Sequence, residues 1–389
     1  MRVALVHDWL LGMRGGERVL ESLCRMFPQA PVHTFFWRPG AVTRGIEAHQ
    51  IHPSWIDRLP GVHRWHRMAL PLLPAAAETL RVDPCDLVVS TSHCIAHAVR
   101  APVGARHLCL CFTPMRYLWG MEAAYLGRGG LRGLHRVLAP PLRRWDRARA
   151  ARADRIVAIS EFVRRRIRRA WGIEAPVLPP PVDVARFTPL RKREDYFVLV
   201  SALVPYKRVD LAIEAFRGRR EELRIAGSGP LYERLARKAP PNVRLLGWVE
   251  DEALPALFGR ARAAVFPTED EFGIAPVEAQ AAGTPVIALG RGGALETVVA
   301  PGGERAATGL FFDEATPDSL RRALDRFREL EPDLDPGSIR ANAERFGPEH
   351  FEAGVAEHVS ELLESPAGAL PGKAPRGSPQ SAAGSVRVR

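Results

Sequence analysis

The chain has 389 residues, enough for two domains with separate cores, and its 46% hydrophobic and 25% charged content is ordinary for a soluble globular protein. No apolar run reaches the roughly 20 residues of a membrane span and the N-terminus lacks the apolar stretch of a secretory signal, so a cytoplasmic protein is expected. The net charge is +11, and fourteen arginines against three acids between Arg128 and Arg169 make up all of it.

Met1 to His7 reads as a β-rich apolar strand. Leu11 to Glu17 then carries Gly12, Gly15 and Gly16 ahead of a helical pattern through Val19, Leu20, Leu23 and Phe27. Strand, glycine loop and helix make the first unit of a Rossmann-like domain, although the loop is not a G-x-G-x-x-G fingerprint. Val32 to Phe36 and Asp86 to Ser90 predict further strands. Between them His49 to Leu80, rich in Trp, His, Arg and Pro, predicts an irregular insertion facing an acceptor. His93 and His97 follow a strand end and are expected to be packed or solvated. The five cysteines, Cys24, Cys85, Cys94, Cys109 and Cys111, form no C-x-x-C pair and predict buried free thiols rather than a disulfide framework or a zinc site.

His107 to Trp119 is a strand followed by a loop, Leu131 to Arg152 a helix with an arginine-rich surface, and Arg155 to Ile159 a strand. Ser160 is placed to cap a helix whose Phe162, Val163 and Ile167 face inward. The proline-rich Val177 to Pro181 stiffens a link, and the domain boundary is expected near Pro189 to Asp195.

The second half opens with the strand Tyr196 to Leu203. Lys207 and Arg208 stand just before a helix at Val209 to Phe216, where a cation can hold a phosphate oxygen. Leu223 to Ala226 and Val243 to Leu246 are strands leading into Gly227-Ser228-Gly229 and Gly247-Trp248. Ala263 to Phe266 suits a buried parallel strand stopped by Pro267, and Glu269, Asp270 and Glu271 form an exposed loop at an edge where chemistry is expected. Gly273 opens a short helix with Pro276 in its first turn, Gly283 at its C-cap and Pro285 barring continuation. Val286 to Leu289 is the next strand, and Gly292-Gly293 lead into a helix at Ala294 to Val298. Both helix starts offer N-H groups to an anion. Thr308 to Phe312 is a final strand, followed by helices at Thr316 to Glu329 and Pro348 to Leu363. Asp333 to Asp335 is read as a loop, and the tail from Pro366 has too little apolar content to fold.

Asp270 and Glu278, with seven residues between them, resemble the paired-acid signature of family 4 of the retaining glycosyltransferases. Gly15-Gly16, Tyr206 to Asp210, Ala226 to Pro230, Gly283 to Ala288 and Gly309 to Phe312 extend the resemblance over most of the chain. It implies an α/β protein of GT-B fold, two Rossmann-like domains with parallel sheets facing across a cleft. Residues 1–190 would be the acceptor domain, 191–347 the donor domain, 348–365 a helix crossing back and 366–389 a disordered tail.

The resemblance further implies a nucleotide-sugar donor and no cofactor or metal. Its phosphates would meet Lys207, with Arg208 beside it, and the backbone at Gly15, Gly16, Gly273, Ile274, Gly292 and Gly293. Glu278 would bind the ribose, Asp270 the sugar hydroxyls near the reacting carbon, and Trp248 would lie at the nucleobase or in the core. Asp270 is one methylene shorter than the family's usual glutamate, and Glu269 or Glu271 would substitute in a shifted loop. Phe112 stands where relatives with T-P-M-R-Y carry a histidine tied to the sugar site, and Ala202 where many carry an arginine. Arg116 and Tyr117 are candidates for binding sugar or acceptor phosphate. H-D-W-L, R-G-G-E, T-P-M-R-Y and P-V-E-A-Q resemble mannosyltransferases of bacterial surface-polysaccharide assembly, implying transfer from GDP-mannose to a lipid-linked or polysaccharide acceptor.

The arginine surplus suits an anionic partner, such as a membrane surface at the inner face of the cell membrane, or a plain solvated face. A sugar-nucleotide epimerase of the same fold is the alternative enzyme. A basic nucleic-acid-binding protein is disfavoured by the scarcity of aromatic residues among the arginines.

Overall fold

The computed structural model of the chain describes residues 1–120, 131–190 and 192–365, the side chains of Arg67 and residues 131–136 excepted. The head of the arginine run, Arg128, and the tail 366–389 lie outside the described residues.

Apolar runs with no polar alternation must be covered on both faces, which favours parallel sheets wrapped by helices. The first sheet holds β1 (Val3–Leu10), β2 (Val32–Trp37), β3 (Ile51–Pro53), β4 (Leu87–Ser92), β5 (Arg106–Cys111) and β6 (Arg155–Ala158) in the order β3-β2-β1-β4-β5-β6, all parallel. The second holds β7 (Tyr196–Val200), β8 (Glu222–Ala226), β9 (Val243–Gly247), β10 (Ala263–Phe266), β11 (Val286–Leu289) and β12 (Gly309–Phe312) in the order β12-β11-β10-β7-β8-β9, also parallel. Both are the same doubly wound arrangement, with the first strand of each lobe beside the fourth. The order reverses between β1 and β4 and between β7 and β10, and a ligand crevice opens beyond the carboxyl ends of such a pair.

The helix Pro348–Glu364 lies on the first lobe, where Phe351, Val355, Val359 and Leu362 share a core with β5 and β6. A Cβ on Gly354 would stand 2.4 Å from Leu178 Cδ1, so the glycine permits that approach. All five cysteines are free and buried, and burial pushes the Cys24 and Cys109 thiols up to about 12.

Two readings of the sequence are corrected. The stretch from His49 to Leu80 is folded: Ile51–Pro53 is the edge strand of the first sheet, and Ile56, Val62, Leu73, Ala76 and Ala77 are buried beneath short helical turns. Asp333 to Asp335 is only partly a loop, since Asp333 ends a short helical turn at Glu331–Asp333 while Leu334 and Asp335 are irregular. The Asp335 carboxylate accepts from Ser338 N at 2.7 Å and caps the helix Pro336–Glu344.

The first switch point is pinned by Asp8, fully buried in β1. Its carboxylate accepts four backbone N-H groups, from His93 at 2.6 Å, Cys94 at 2.8 Å, Ile95 at 2.6 Å and Ala96 at 2.8 Å. Burial pushes its pKa up, but His93 and these amides outweigh burial and hold it below the ordinary carboxylate value of 3.8. Because the folded pKa is depressed, this stabilisation is present above about pH 4 and is lost as pH falls through the native value. Asp8→Ala leaves four amides without an acceptor and should cost about 3 kcal/mol in urea unfolding at pH 7. The gap to wild type should shrink steadily below pH 4, and equal stability of the two at pH 7 would remove the assigned role.

Candidate active site

The acidic loop after β10 has no regular structure to hold it, so its backbone must be fixed from outside. The Gly292-Gly293 turn does this. Gly293 N donates to Asp270 O at 2.8 Å. A Cβ on Gly293 would lie 2.3 Å from Phe272 Cα, and one on Gly292 would lie 2.4 Å from Asp270 O. The Gly293 amide is therefore engaged by the loop rather than turned to a phosphate. The loop after β7 rests on Gly227-Ser228-Gly229 in the same manner. Leu203 N donates to Ser228 O at 2.9 Å, and a Cβ on Gly227 would lie 1.8 Å from Ser201 O.

These two loops flank the second switch point and bring Lys207 to Asp270, with Nζ 2.5 Å from Oδ1. Burial pulls the Lys207 pKa down, but the charge and hydrogen bond of Asp270 outweigh it and leave the ammonium above the ordinary lysine value. Arg208 takes a left-handed conformation, φ 51°, and pairs with Asp210 on its own helix at 3.6 Å instead of joining Lys207. Glu271 faces the other lobe. Arg116 holds it through two bonds of 2.8 Å, Arg166 lies 3.4 Å away, and Ser160 Oγ donates to its carbonyl. Tyr117 instead packs against the apolar cluster containing Met115 and Leu118. Trp248 is 61% exposed and does not belong to the core.

Across the gap, a Cβ on Gly15 would lie 2.7 Å from Ile274 Cδ1, so the first glycine loop meets the start of the helix Ile274–Ala281. Gly16 sits beside Phe112, whose ring edge would be 3.0 Å from an added Cβ. Glu278, on that helix, is 8% exposed, and its carboxylate has no hydrogen-bond partner among the described residues. Burial raises its pKa, against the opposing charges of Arg18 and Arg186. The helix is anchored from behind by Gln280, which donates to Pro276 O and Thr297 O and accepts from Asn342 Nδ2 at 2.7 Å.

Sequence reasoning missed several groups that gather here. Arg18 of the first lobe meets Asp251 of the second at 2.5 Å, and Glu296 accepts from Glu161 N and Phe162 N at 2.8 and 3.0 Å. His93 was expected to be packed or solvated, and it lies at the first switch point, edge-on to Trp9 with centroids 4.4 Å apart and Nδ1 3.1 Å from Asp8. Burial pushes its pKa down to about 4, so the ring is neutral near pH 7. His7, buried beside it, has Nδ1 2.6 Å from Thr91 Oγ1 and Nε2 3.8 Å from Glu17. For the histidines the available signal was position, since His93 directly follows β4 and His7 stands in β1 beside it.

Residues 13–186 match the family described as Glycosyltransferase Family 4, and residues 184–345 match that described as Glycosyl transferases group 1. The chain belongs to the family 4 glycosyltransferases. This glycosyltransferase is 34% identical over 214 residues to the GDP-mannose-dependent alpha-(1-6)-phosphatidylinositol monomannoside mannosyltransferase of Mycobacterium tuberculosis, covering 47% of this chain and 54% of that protein. It is 32% identical over 250 residues to a GDP-mannose-dependent monoacylated alpha-(1-6)-phosphatidylinositol monomannoside mannosyltransferase of Corynebacterium glutamicum, covering 54% and 62%. The chain thus spans about half the length of the curated relatives it matches. The fold is that of a sucrose-phosphate synthase from Thermosynechococcus elongatus, with a TM-score of 0.71 at 17% identity over 93% of this chain and 99% of that one. Anabaena HepE in complex with UDP gives a TM-score of 0.67 at 17% identity over 93% and 100%.

Gly293→Ala in this glycosyltransferase would drive a methyl group into the backbone of Phe272 and should cost about 1–3 kcal/mol while displacing the acidic loop. Gly15→Ala meets only the rotatable end of Ile274 and should cost less than half as much. Thermal unfolding of the two variants compares them, and a Gly293→Ala variant as stable as wild type would contradict the seat.

Proposed function

We propose that the chain is a retaining hexosyltransferase that moves mannose from GDP-mannose to a lipid-linked or polysaccharide acceptor at the cytoplasmic face of the membrane. One observation carries the reading: Glu278, 8% exposed and with no hydrogen-bond partner among the described residues, stands on the helix that meets the first lobe's glycine loop. An unpartnered buried carboxylate is costly, and a ribose diol supplies the two donors it lacks. The names of the mycobacterial and corynebacterial relatives support GDP-mannose as donor and a phosphatidylinositol-anchored mannoside as the kind of acceptor. Among the described residues no helix is long and apolar enough to cross a membrane, so contact with such an acceptor falls to the surface.

Breaking the anomeric bond builds negative charge on the departing diphosphate and positive charge on the sugar. In this reading Lys207 and the amides at Gly15-Gly16 and Gly273-Ile274 meet the first, with Gly292 completing the anion side. Asp270 lies within reach of the second and holds the sugar hydroxyls, so no metal is required. Lys207 is shared: it contacts Asp270 at rest and the diphosphate during reaction.

Mass spectrometry of reactions with GDP-, UDP- and dTDP-sugars and a phosphatidylinositol mannoside acceptor should show transfer from GDP-mannose, and proton NMR of the product should show the donor's anomeric configuration. Asp270→Asn and Glu278→Gln should each lower kcat by about 100-fold or more with unchanged thermal unfolding. Full activity in either variant removes its role, and activity lost in EDTA and restored by a divalent metal contradicts the metal-free account.

A further inference from the structure

Beside the donor crevice, between the helix Glu161–Trp171 of the first lobe and the turn Gly290–Gly292 of the second, lies a pocket of about 260 Å³. Arg165, Arg166, Arg169 and Arg291 line it, against a single acid, Glu269. Phe162 and the 53% exposed Leu295 form its apolar part. The volume is below that of drug-sized ligand sites and suits a small charged group.

Most arginines of the cluster have partners within the protein. Glu78 takes Arg149 and Arg152 as well as Arg100, and Arg155 meets Glu361 at 2.5 Å. Arg164 pairs with Glu161 at 2.7 Å and Arg168 with Glu174 at 2.9 Å. Arg165, Arg169 and Arg291 differ, because none of them makes an ion pair within 4 Å among the described residues. Three exposed guanidiniums from two lobes, without an ion pair within 4 Å among the described residues, therefore line one cavity alongside Arg166, whose side chain is 15% exposed and already shared with Glu271. The helix N-terminus is a separate feature, since Glu296 takes its first amides.

Four guanidiniums against one lining acid leave a positive surplus that a bound anion offsets, and a planar guanidinium binds phosphate oxygens two at a time. We propose that this interlobe pocket binds a phosphate-bearing group, either a phosphate ester in solution or an anionic lipid headgroup. Neither the donor sugar nor the assigned roles of Asp270 and Glu278 enter this inference. Because the pocket takes residues from both lobes, its occupant bridges them.

The test uses the full chain with inorganic phosphate, followed by 31P NMR titration, and vesicles containing phosphatidylglycerol, followed by co-sedimentation. Arg169→Ala/Arg291→Ala should weaken phosphate binding about tenfold or more. Arg164→Ala/Arg168→Ala, which removes the same charge from exposed positions outside the pocket, should leave it within about twofold of wild type. Loss of phosphate binding together with vesicle binding assigns the headgroup, and loss of phosphate binding alone assigns a soluble ester. Equal weakening in both double variants, or none in the first, overturns the proposal. Arg291→Ala alone, on an exposed turn, serves if the double variant fails to fold.

Discussion

The site depends on a constraint of backbone against backbone. Two irregular loops flank the β7–β10 switch point, and each rests on a glycine-containing turn from the neighbouring strand's loop: Ser201 to Leu203 on Gly227-Ser228-Gly229, and Asp270 to Phe272 on Gly292-Gly293. At such distances any Cβ would overlap a carbonyl, so the close approach exists only because the side chain is missing. The geometry also answers the loops' unsatisfied polar groups, since Gly293 N donates to Asp270 O and Leu203 N donates to Ser228 O. Position of Lys207 against Asp270 follows from these seats rather than from either side chain's own preference.

With the loop fixed, its three acids cannot share one environment. Asp270 is matched by Lys207 from the same lobe, Glu271 by Arg116 and Arg166 from the other, and Glu269 lies along the arginine pocket. Partly buried pairs lose much of their Coulomb energy to desolvation, so they are better understood as setting geometry than as supplying stability. Glu271 in particular ties the lobes at a fixed orientation, with Arg18–Asp251 and Glu296 on the Glu161–Trp171 helix as further cross-lobe contacts. The three ties come from different elements, so each restrains a different relative movement of the lobes.

Both sheets were legible because continuous apolar runs such as Ala263–Phe266 and Val286–Leu289 have few alternatives to a buried parallel strand. The stretch from His49 to Leu80 was not. Its edge strand is three residues long and its buried apolar groups are scattered over short turns, so no period builds up. Lys207 and Asp270 were legible from their place at strand ends, but their contact joins residues 63 apart and no spacing rule reports it. Asp8 shows the same limit, since its partners lie 85 to 88 residues away and its own neighbours show only the strand it stands in. Arg208 illustrates the reverse error. Adjacent to Lys207 in sequence, it is swung towards Asp210 by a left-handed backbone turn that only the folded chain reveals.

Net charge alone gave the arginine run several meanings, and the pairing pattern separates them. Around Glu78, burial pushes the carboxyl up, yet hydrogen bonds from Arg152, Arg100 and Arg149 hold its pKa down to about 2, so these cations act inside the fold. Arg143 and Arg147 lie over the Trp119 ring, 5.4 and 5.6 Å from its centroid, and are likewise used locally. A nucleic-acid surface needs a continuous basic stripe along the phosphate backbone. Among the described residues of the run, Arg144, Arg165 and Arg169 make no ion pair within 4 Å, and the last two sit with Arg291 along one pocket.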